Sequence, residues 1–103
     1  MNRRIAIPTK QITDFCIKWK IKELAFFGSI LGENFKPDSD IDILVTFTPE
    51  ARWTMFDWVK MREELKEIFE REVDLVSRRG LETSRNSLRR EAILASAEVV
   101  YAA

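Results

Sequence analysis

Apolar residues recur every three to four positions in three parts of the chain, which is the spacing of one helix face. The first part includes Ile12, Phe15 and Trp19 and predicts a helix over residues 9–20. The second predicts a helix over residues 54–70, and the third predicts one over residues 84–97. The expected core-facing residues of the second helix are Phe56, Val59, Leu65, Ile68 and Phe69, with Lys60, Glu63, Glu64 and Lys66 on its other face.

Three shorter apolar runs have the length and composition of strands and end at turn-forming residues. They cover residues 23–27, 40–47 and 72–77. Residues 29–39 form a connector with one helical turn at its start, and residues 99–101 either add a short closing strand or dock on the body. The order helix–strand–strand–helix–strand–helix indicates an α+β (mixed α/β) domain with a small sheet.

The composition fits a single domain and limits the chemistry that the chain can carry out. Its 103 residues suffice for one domain, residues 1–103, and 46% of them are hydrophobic. The chain contains no histidine and one cysteine, Cys16. These absences exclude Ser-His-Asp and Cys-His nucleophile systems, histidine-based acid–base catalysis and the usual zinc sites. Catalysis would therefore depend on carboxylates, hydroxyls and a hard cation.

The charges are balanced overall but unevenly distributed. Lys and Arg number 17, as do Asp and Glu, and this balance argues against direct nucleic-acid binding. Five arginines, at positions 78, 79, 85, 89 and 90, suit an anionic ligand or an acidic partner, or form a solvated helix face. No apolar stretch approaches the ~18–20 residues that span a bilayer. With a single cysteine, the chain is expected to be cytoplasmic, with no membrane partner.

Two carboxylates open the second predicted strand. Because side chains alternate between the faces of a strand, Asp40 and Asp42 point the same way, with Cα atoms about 6.5 Å apart. A divalent cation would relieve their repulsion, and Mg²⁺ prefers such oxygen ligands. Asp74 interrupts the apolar run of the third strand. If the two strands are neighbours, three carboxylates converge and could hold two metal ions about 3.5–4 Å apart.

Gly28 and Ser29 follow the first predicted strand and supply a candidate phosphate site. Backbone N–H groups and the Ser29 hydroxyl could receive a triphosphate, and a residue without Cβ lets the backbone approach closely. Simpler interpretations exist for each feature: a Gly-Ser turn, an Asp-x-Asp helix cap or surface edge, and an ion-paired Asp74. Their joint order along the chain favours the catalytic interpretation.

Tryptophans suggest base stacking, but their spacing favours packing in the core or against a partner. Trp19 and Trp58 lie at helix spacing among other apolar residues. Arg52-Trp53, in the loop before the second predicted helix, is the better candidate for an exposed contact.

The segment AFFGSILGENFKPDSDIDILVTF, residues 25–47, contains a Gly-Ser-x10-Asp-x-Asp signature at Gly28, Ser29, Asp40 and Asp42. In this segment, and in residues 51–65, 71–81 and 90–103, the chain resembles the minimal nucleotidyltransferases (MNT). These are single-domain members of the DNA polymerase β-like superfamily, and they include the MntA-like antitoxins of HEPN/MNT toxin–antitoxin pairs. The resemblance covers nearly the whole chain.

This resemblance implies a polymerase β-like palm, in which helices pack on one side of a small mixed sheet. It implies nucleotide binding at Gly28 and Ser29, and two Mg²⁺ ions bound by the catalytic residues Asp40, Asp42 and Asp74. It also implies transfer of AMP from ATP to a hydroxyl, that of a tyrosine, on a partner HEPN toxin. The chain would then be a protein adenylyltransferase acting as a type VII-like antitoxin.

One departure from the family pattern keeps alternatives open. Family members often read Gly-Ser-Arg-x-Arg-Gly, whereas Ile30 and Leu31 follow Ser29 here. Lys36 or the pair Arg78 and Arg79 are candidate substitutes for the missing basic residues. A catalytically weak or inert antitoxin that neutralises its toxin by binding alone is one alternative. The other is a small-molecule adenylyltransferase, although such enzymes usually need an additional domain to hold the acceptor.

Overall fold

A computed structural model describes residues 8–28 and 40–103. Its elements in chain order are α1 (Thr9–Lys18), β1 (Ile21–Phe27), β2 (Ile41–Phe47), α2 (Met55–Phe69), β3 (Val73–Ser77), α3 (Arg78–Glu82), α4 (Ser87–Ser96) and β4 (Glu98–Ala102). The predicted connector over residues 29–39 lies outside the described residues. In the described part of the chain, no helix is long and apolar enough to cross a membrane.

The four strands form one mixed sheet in the order β3-β2-β1-β4. Strand β1 pairs antiparallel with both β2 and β4. Strand β2 pairs in parallel with β3, and parallel neighbours need a long crossover connection, which α2 provides. The predicted α+β class with a small mixed sheet is confirmed, and β4 is the closing strand suggested by residues 99–101.

Local hydrogen bonds set the ends of the main helices. Helix α2 begins with a capping box, in which Thr54 Oγ1 accepts from the Asp57 N–H at 3.2 Å and Asp57 Oδ2 accepts from the Thr54 N–H at 2.9 Å. It ends at Phe69, and the C-cap residue Glu70 adopts a left-handed conformation at φ 56°. Lys20, at φ 55°, turns the chain after α1, and its carbonyl accepts from the Thr48 N–H at 2.9 Å.

The main core lies between one face of the sheet and helices α1 and α2. Its buried members include Phe15 of α1, Met61 and Leu65 of α2, and Ile43 of β2. These residues recur at helix spacing in the helices and at alternate positions in the strands, as burial on one face requires. Strand β2 is therefore fixed in register, because a shift by one residue would turn its polar side chains into the core.

A smaller apolar cluster covers the opposite face of the sheet. It joins Ala25, Phe27 and Leu44 to Leu81 of α3 and Ile93 of α4. Helices α1 and α2 thus pack on one side as expected, and the short helices α3 and α4 add a second layer that the sequence-based prediction did not include.

Two details of the predicted helices differ from the structure. The helix predicted over residues 84–97 begins at Ser87, and a separate helix, α3, precedes it. In α2, Phe56 and Val59 were assigned to the core-facing side, but they are 83% and 52% exposed. At about 100° per residue, Phe56 lies nearly opposite Leu65, nine positions later, so the two cannot share a face.

The tryptophans pack within the fold, as their spacing predicted. The rings of Trp19 and Trp53 meet edge to face with centroids 5.2 Å apart, and Trp53 Nε1 donates to the Trp19 carbonyl at 3.1 Å. Trp58 packs against Phe47 at 6.3 Å. Of the pair Arg52-Trp53, only Arg52 is exposed.

Candidate active site

Two of the predicted carboxylates lie side by side on the sheet. In the parallel pairing of β2 with β3, Asp42 is directly opposite Asp74. Neighbouring strands are about 4.8 Å apart, and paired positions direct their side chains to the same face. That face carries the smaller cluster, because the next pair toward the middle of the sheet, Leu44 and Val76, packs there. Asp42 is half-buried and Asp74 is exposed, so the acids lie at the solvent-accessible end of this face.

The third carboxylate, Asp40, lies at the same end of the sheet. It directly precedes β2, is exposed, and lines a shallow groove of about 310 Å³ together with Asp74. The groove also contains Arg62 of α2, which sequence reasoning did not single out. Its Nε donates to the Val73 carbonyl at 3.2 Å, and its Nη2 lies 3.8 Å from the Glu72 carboxylate. Arg62 comes near Asp40 and Asp74 only because the chain turns back between α2 and β3. A local sequence pattern therefore does not predict its position at the site.

Gly28 lies against Asp42. It directly follows β1, whose last residue, Phe27, pairs with Asp42. Its φ of +74° is in the left-handed region, which side-chain-bearing residues rarely adopt. A Cβ at this position would overlap the Asp42 carboxylate. The absence of a side chain therefore allows the turn and its close approach to the acid. The predicted nucleotide-binding residue Ser29 lies outside the described residues.

The donor set fits a hard divalent cation that shares its coordination with a substrate. Within residues 8–28 and 40–103, no three acidic, cysteine or histidine side chains are grouped closely enough to hold an ion on their own. Mg²⁺ commonly binds through one or two carboxylates and completes its shell with water and substrate phosphates. The adjacent positions of Asp42 and Asp74, with Asp40 nearby, suit that mode of binding.

The arginine cluster does not lie beside the carboxylates. Arg78 and Arg79 follow Ser77 at the far end of β3, about 13 Å along the strand from Asp74. Arg78 Nε is 3.5 Å from Glu82, and Arg90 donates to the Ser84 carbonyl at 3.0 Å. These contacts stabilise α3 and the turn that follows it. Replacement of the missing basic residues by Arg78 and Arg79 or by Lys36 stays a prediction, because Ser29 and Lys36 lie outside the described residues.

A separate basic pocket of about 380 Å³ occurs at that far end of the sheet. Arg52, Arg78 and Arg79 line it together with Thr46 and Thr48. Sequence reasoning gave no reason to expect Arg52 beside Arg78 and Arg79, because 25 positions separate the two groups along the chain.

Comparisons of the sequence identify relatives over most of the chain. The profile of the nucleotidyltransferase domain family matches residues 9–99. Two proteins of Methanocaldococcus jannaschii, both provisionally named protein adenylyltransferases, are similar. One is 35% identical over 68 residues, which cover 66% of this chain and 71% of the relative. The other is 31% identical over 64 residues, which cover 62% of this chain and 64% of the relative.

Solved structures share the fold. A protein provisionally described as a minimal nucleotidyltransferase is 28% identical with a TM-score of 0.67, covering 87% of this chain and 86% of its own. A toxin–antitoxin structure with AMP-PNP gives 19% identity and a TM-score of 0.69, and the match covers 94% of this chain and 75% of the matched chain. The complex of a tri-AMPylated Shewanella oneidensis HEPN toxin with an MNT antitoxin gives a sequence identity of 18% and a TM-score of 0.60. The match covers 92% of this chain and 70% of the matched chain.

The family profile includes both strands that carry the acids and the glycine that ends β1. The sheet with its parallel β2–β3 pair also matches the fold of the solved nucleotidyltransferases. The resemblance read from residues 25–47 is thereby confirmed, and the chain belongs to the nucleotidyltransferase domain family.

Proposed function

We propose that this chain acts as a single Mg²⁺-dependent nucleotidyltransferase domain that transfers AMP from ATP to a tyrosine hydroxyl of a partner HEPN toxin. It would thus serve as a type VII-like antitoxin in the cytoplasm. The proposed reaction involves no nucleic acid. Support comes from the family, from relatives provisionally named protein adenylyltransferases, and from structural neighbours that include an AMP-PNP complex and an AMPylated toxin.

One observation carries the proposal. Asp42 and Asp74 occupy opposed positions on neighbouring parallel strands, and the backbone of Gly28 lies against Asp42. This proximity supports the proposal that the backbone at Gly28 binds phosphate beside the carboxylate pair. A nucleotide whose phosphates contact the Gly28 turn would bring its α-phosphate toward Asp42.

Each residue has a defined part in the proposed reaction. Asp40 and Asp42 would hold Mg²⁺, with Asp74 completing the site, and Gly28 and Ser29 would bind the triphosphate. Bound Mg²⁺ would supply neutralisation of the phosphate charge. The acceptor oxygen forms a bond to the α-phosphorus as the bond from that phosphorus to the β-bridging oxygen breaks. Pyrophosphate leaves with that oxygen, and Asp74 accepts the proton of the hydroxyl.

The test is transfer of label from α-labelled ATP to the HEPN partner in the presence of Mg²⁺. We expect Asp42→Asn to lower the rate at least about 100-fold, which corresponds to roughly 2.7 kcal/mol of lost transition-state stabilisation. Asp14→Asn is the matched control, because Asp14 is an exposed acid on α1, away from the site. Equal labelling by the Asp42→Asn variant and the parent would refute the enzymatic role.

A second function, neutralisation by binding alone, is favoured by one feature of the sequence. Ile30 and Gly32 stand at the two positions where family members often carry arginines, and the missing positive charges would weaken triphosphate binding. An Asp40→Asn/Asp42→Asn double variant separates the two functions. Full protection of cells from the toxin by this variant would assign the antitoxin activity to binding, whereas loss of protection with retained complex formation would assign it to catalysis.

A further inference from the structure

The outer face of α2 carries exposed apolar side chains. Met55 is 82% exposed, Phe56 83% and Val59 52%, whereas Met61 and Leu65 on the opposite face are fully buried. Single exposed hydrophobic residues are common on protein surfaces, but three within about one helical turn form a contiguous patch. Beside Met55, the apolar surface continues into a shallow depression lined by residues 47, 53 and 58, a phenylalanine and two tryptophans.

Opposite charges lie at the two ends of this patch. Arg52 precedes Met55, and its guanidinium donates to the Pro49 and Ala51 carbonyls at 2.8 and 3.0 Å. It makes no ion pair with any acid among the described residues. Glu63 lies one turn beyond Val59, and its carboxylate is 59% exposed and 3.6 Å from Lys66. We call Arg52, Met55, Phe56, Val59 and Glu63 the α2 stripe.

The α2 stripe is complementary to the α2 stripe of a second copy that runs in the opposite direction. Arg52 lies in the loop before α2, four positions before Phe56, and Glu63 lies on α2 itself, four positions after Val59. Two copies packed antiparallel across a twofold axis would therefore place Phe56 against Val59 of the second copy. The same axis would place Arg52 beside Glu63 of the second copy, and both contacts would occur twice, as in any isologous interface.

We propose that the α2 stripe is the interface of a homodimer of this chain. A buried aromatic side chain contributes about 150–250 Å². When the aliphatic stems of the flanking charged residues are included, the surface buried on both copies together is about 1,200 Å². This value is near the lower limit for specific interfaces. The dimer is consequently weak and dependent on concentration. The stripe contains no residue of the candidate active site, so association proceeds whether or not the chain transfers AMP.

Sedimentation velocity of the full chain tests the proposal over about 1 µM to 1 mM, a range that brackets weak association. We expect the mass to rise from 12.1 kDa toward twice that value. Phe56→Asp raises the dimer dissociation constant at least about 30-fold, the effect of losing a central aromatic contact. Leu88→Asp is the matched control, because Leu88 is 80% exposed on α4, outside the stripe, and it leaves the constant unchanged.

A charge exchange tests the antiparallel pairing itself. Arg52→Glu and Glu63→Arg each weaken the dimer, because each places like charges together, and the double variant restores it. A purely local role of Arg52 in its loop would give no such rescue. A parent chain that stays at 12.1 kDa throughout, a Phe56→Asp variant that dimerises like the parent, or a double variant without rescue each overturns the proposal. A stripe that binds only the HEPN partner also overturns it.

Discussion

Replacement of Gly28 by alanine tests the contact on which the candidate site depends. An L-residue in the left-handed region costs about 1–2 kcal/mol, and Gly28 has a φ of +74°. The new Cβ would also overlap the Asp42 carboxylate, which must rotate away. A side chain forced off its rotamer by about 30° adds roughly 0.5–1.5 kcal/mol. The combined loss is about 2 kcal/mol, which lowers the Tm of a domain of this size by about 8–16 °C.

The effect on catalysis should exceed the effect on stability. A misplacement of about 1 Å in a reacting geometry can cost about 100-fold in rate. We therefore expect Gly28→Ala to lower AMP transfer about 100-fold at a temperature well below its Tm, where the variant is fully folded by circular dichroism. Label incorporation per folded molecule is the measurement.

Gly80→Ala is the matched control for this prediction. A Cβ on Gly80 would lie 2.9 Å from Ser77 Oγ, a close contact but a milder one than the overlap at Gly28, and Gly80 is helical and remote from the acids. Alanine favours a helix by about 1 kcal/mol over glycine, which offsets the displacement of the Ser77 hydroxyl. This variant should keep its stability within about 1 kcal/mol of the parent and its full activity. If Gly28→Ala transferred AMP as fast as Gly80→Ala, the proposed contact with Asp42 would have no catalytic importance.

Further predictions concern the acid pair, the core, the helix cap and pH. Asp74→Asn should slow AMP transfer yet leave ATP affinity within about threefold, checked by calorimetry, because Asp74 lies on the far side of Asp42 from Gly28. Leu65→Ala should cost about 2–5 kcal/mol in urea unfolding, whereas Phe56→Ala, measured at monomer concentrations, should cost less than about 0.5 kcal/mol. Thr54→Ala should cost about 1 kcal/mol by removing the capping box; an unchanged urea midpoint would refute its role. Burial raises the pKa of the Cys16 thiol from 9.0 to about 12, so the unfolded chain loses this proton first and stability falls as pH rises above 9. The difference in unfolding free energy between parent and Cys16→Ala should shrink by up to about 1.4 kcal/mol per pH unit in that range, and a constant difference would contradict it.

The sequence predicted the strands and the position of the acids because both depend on local patterns. The run from Ile41 to Phe47 alternates the acid-bearing and core-facing sides, and the interruption of an apolar run at Asp74 marks the same face of the next strand. The parallel register that sets Asp42 opposite Asp74 is a tertiary property. It follows from the crossover through α2 and from core packing, which a local pattern does not specify.

Other features depended on the angular position of residues around a helix and on long-range packing. Phe56 and Leu65 are both apolar. Only the angle between them around the axis of α2 shows that one of the two must be exposed. The starts of α3 and α4 had local signals in Ser77 and Asn86, whose side chains accept from the Gly80 and Arg89 N–H groups at 3.0 and 3.1 Å. Those caps could have been read from the sequence, whereas the position of Arg62 beside the acids could not.

The strand order gives this small protein a built-in dependence of catalysis on complete folding. Asp42 and Asp74 belong to strands that neighbour each other in space but are separated along the chain by the whole of α2. An N-terminal fragment that stops before residue 73 therefore retains Gly28 and the first two acids and lacks the pair. During synthesis, the chain must be made as far as residue 74 before the two carboxylates can meet, and molecules in which β2 and β3 have not paired would lack the site proposed for AMP transfer.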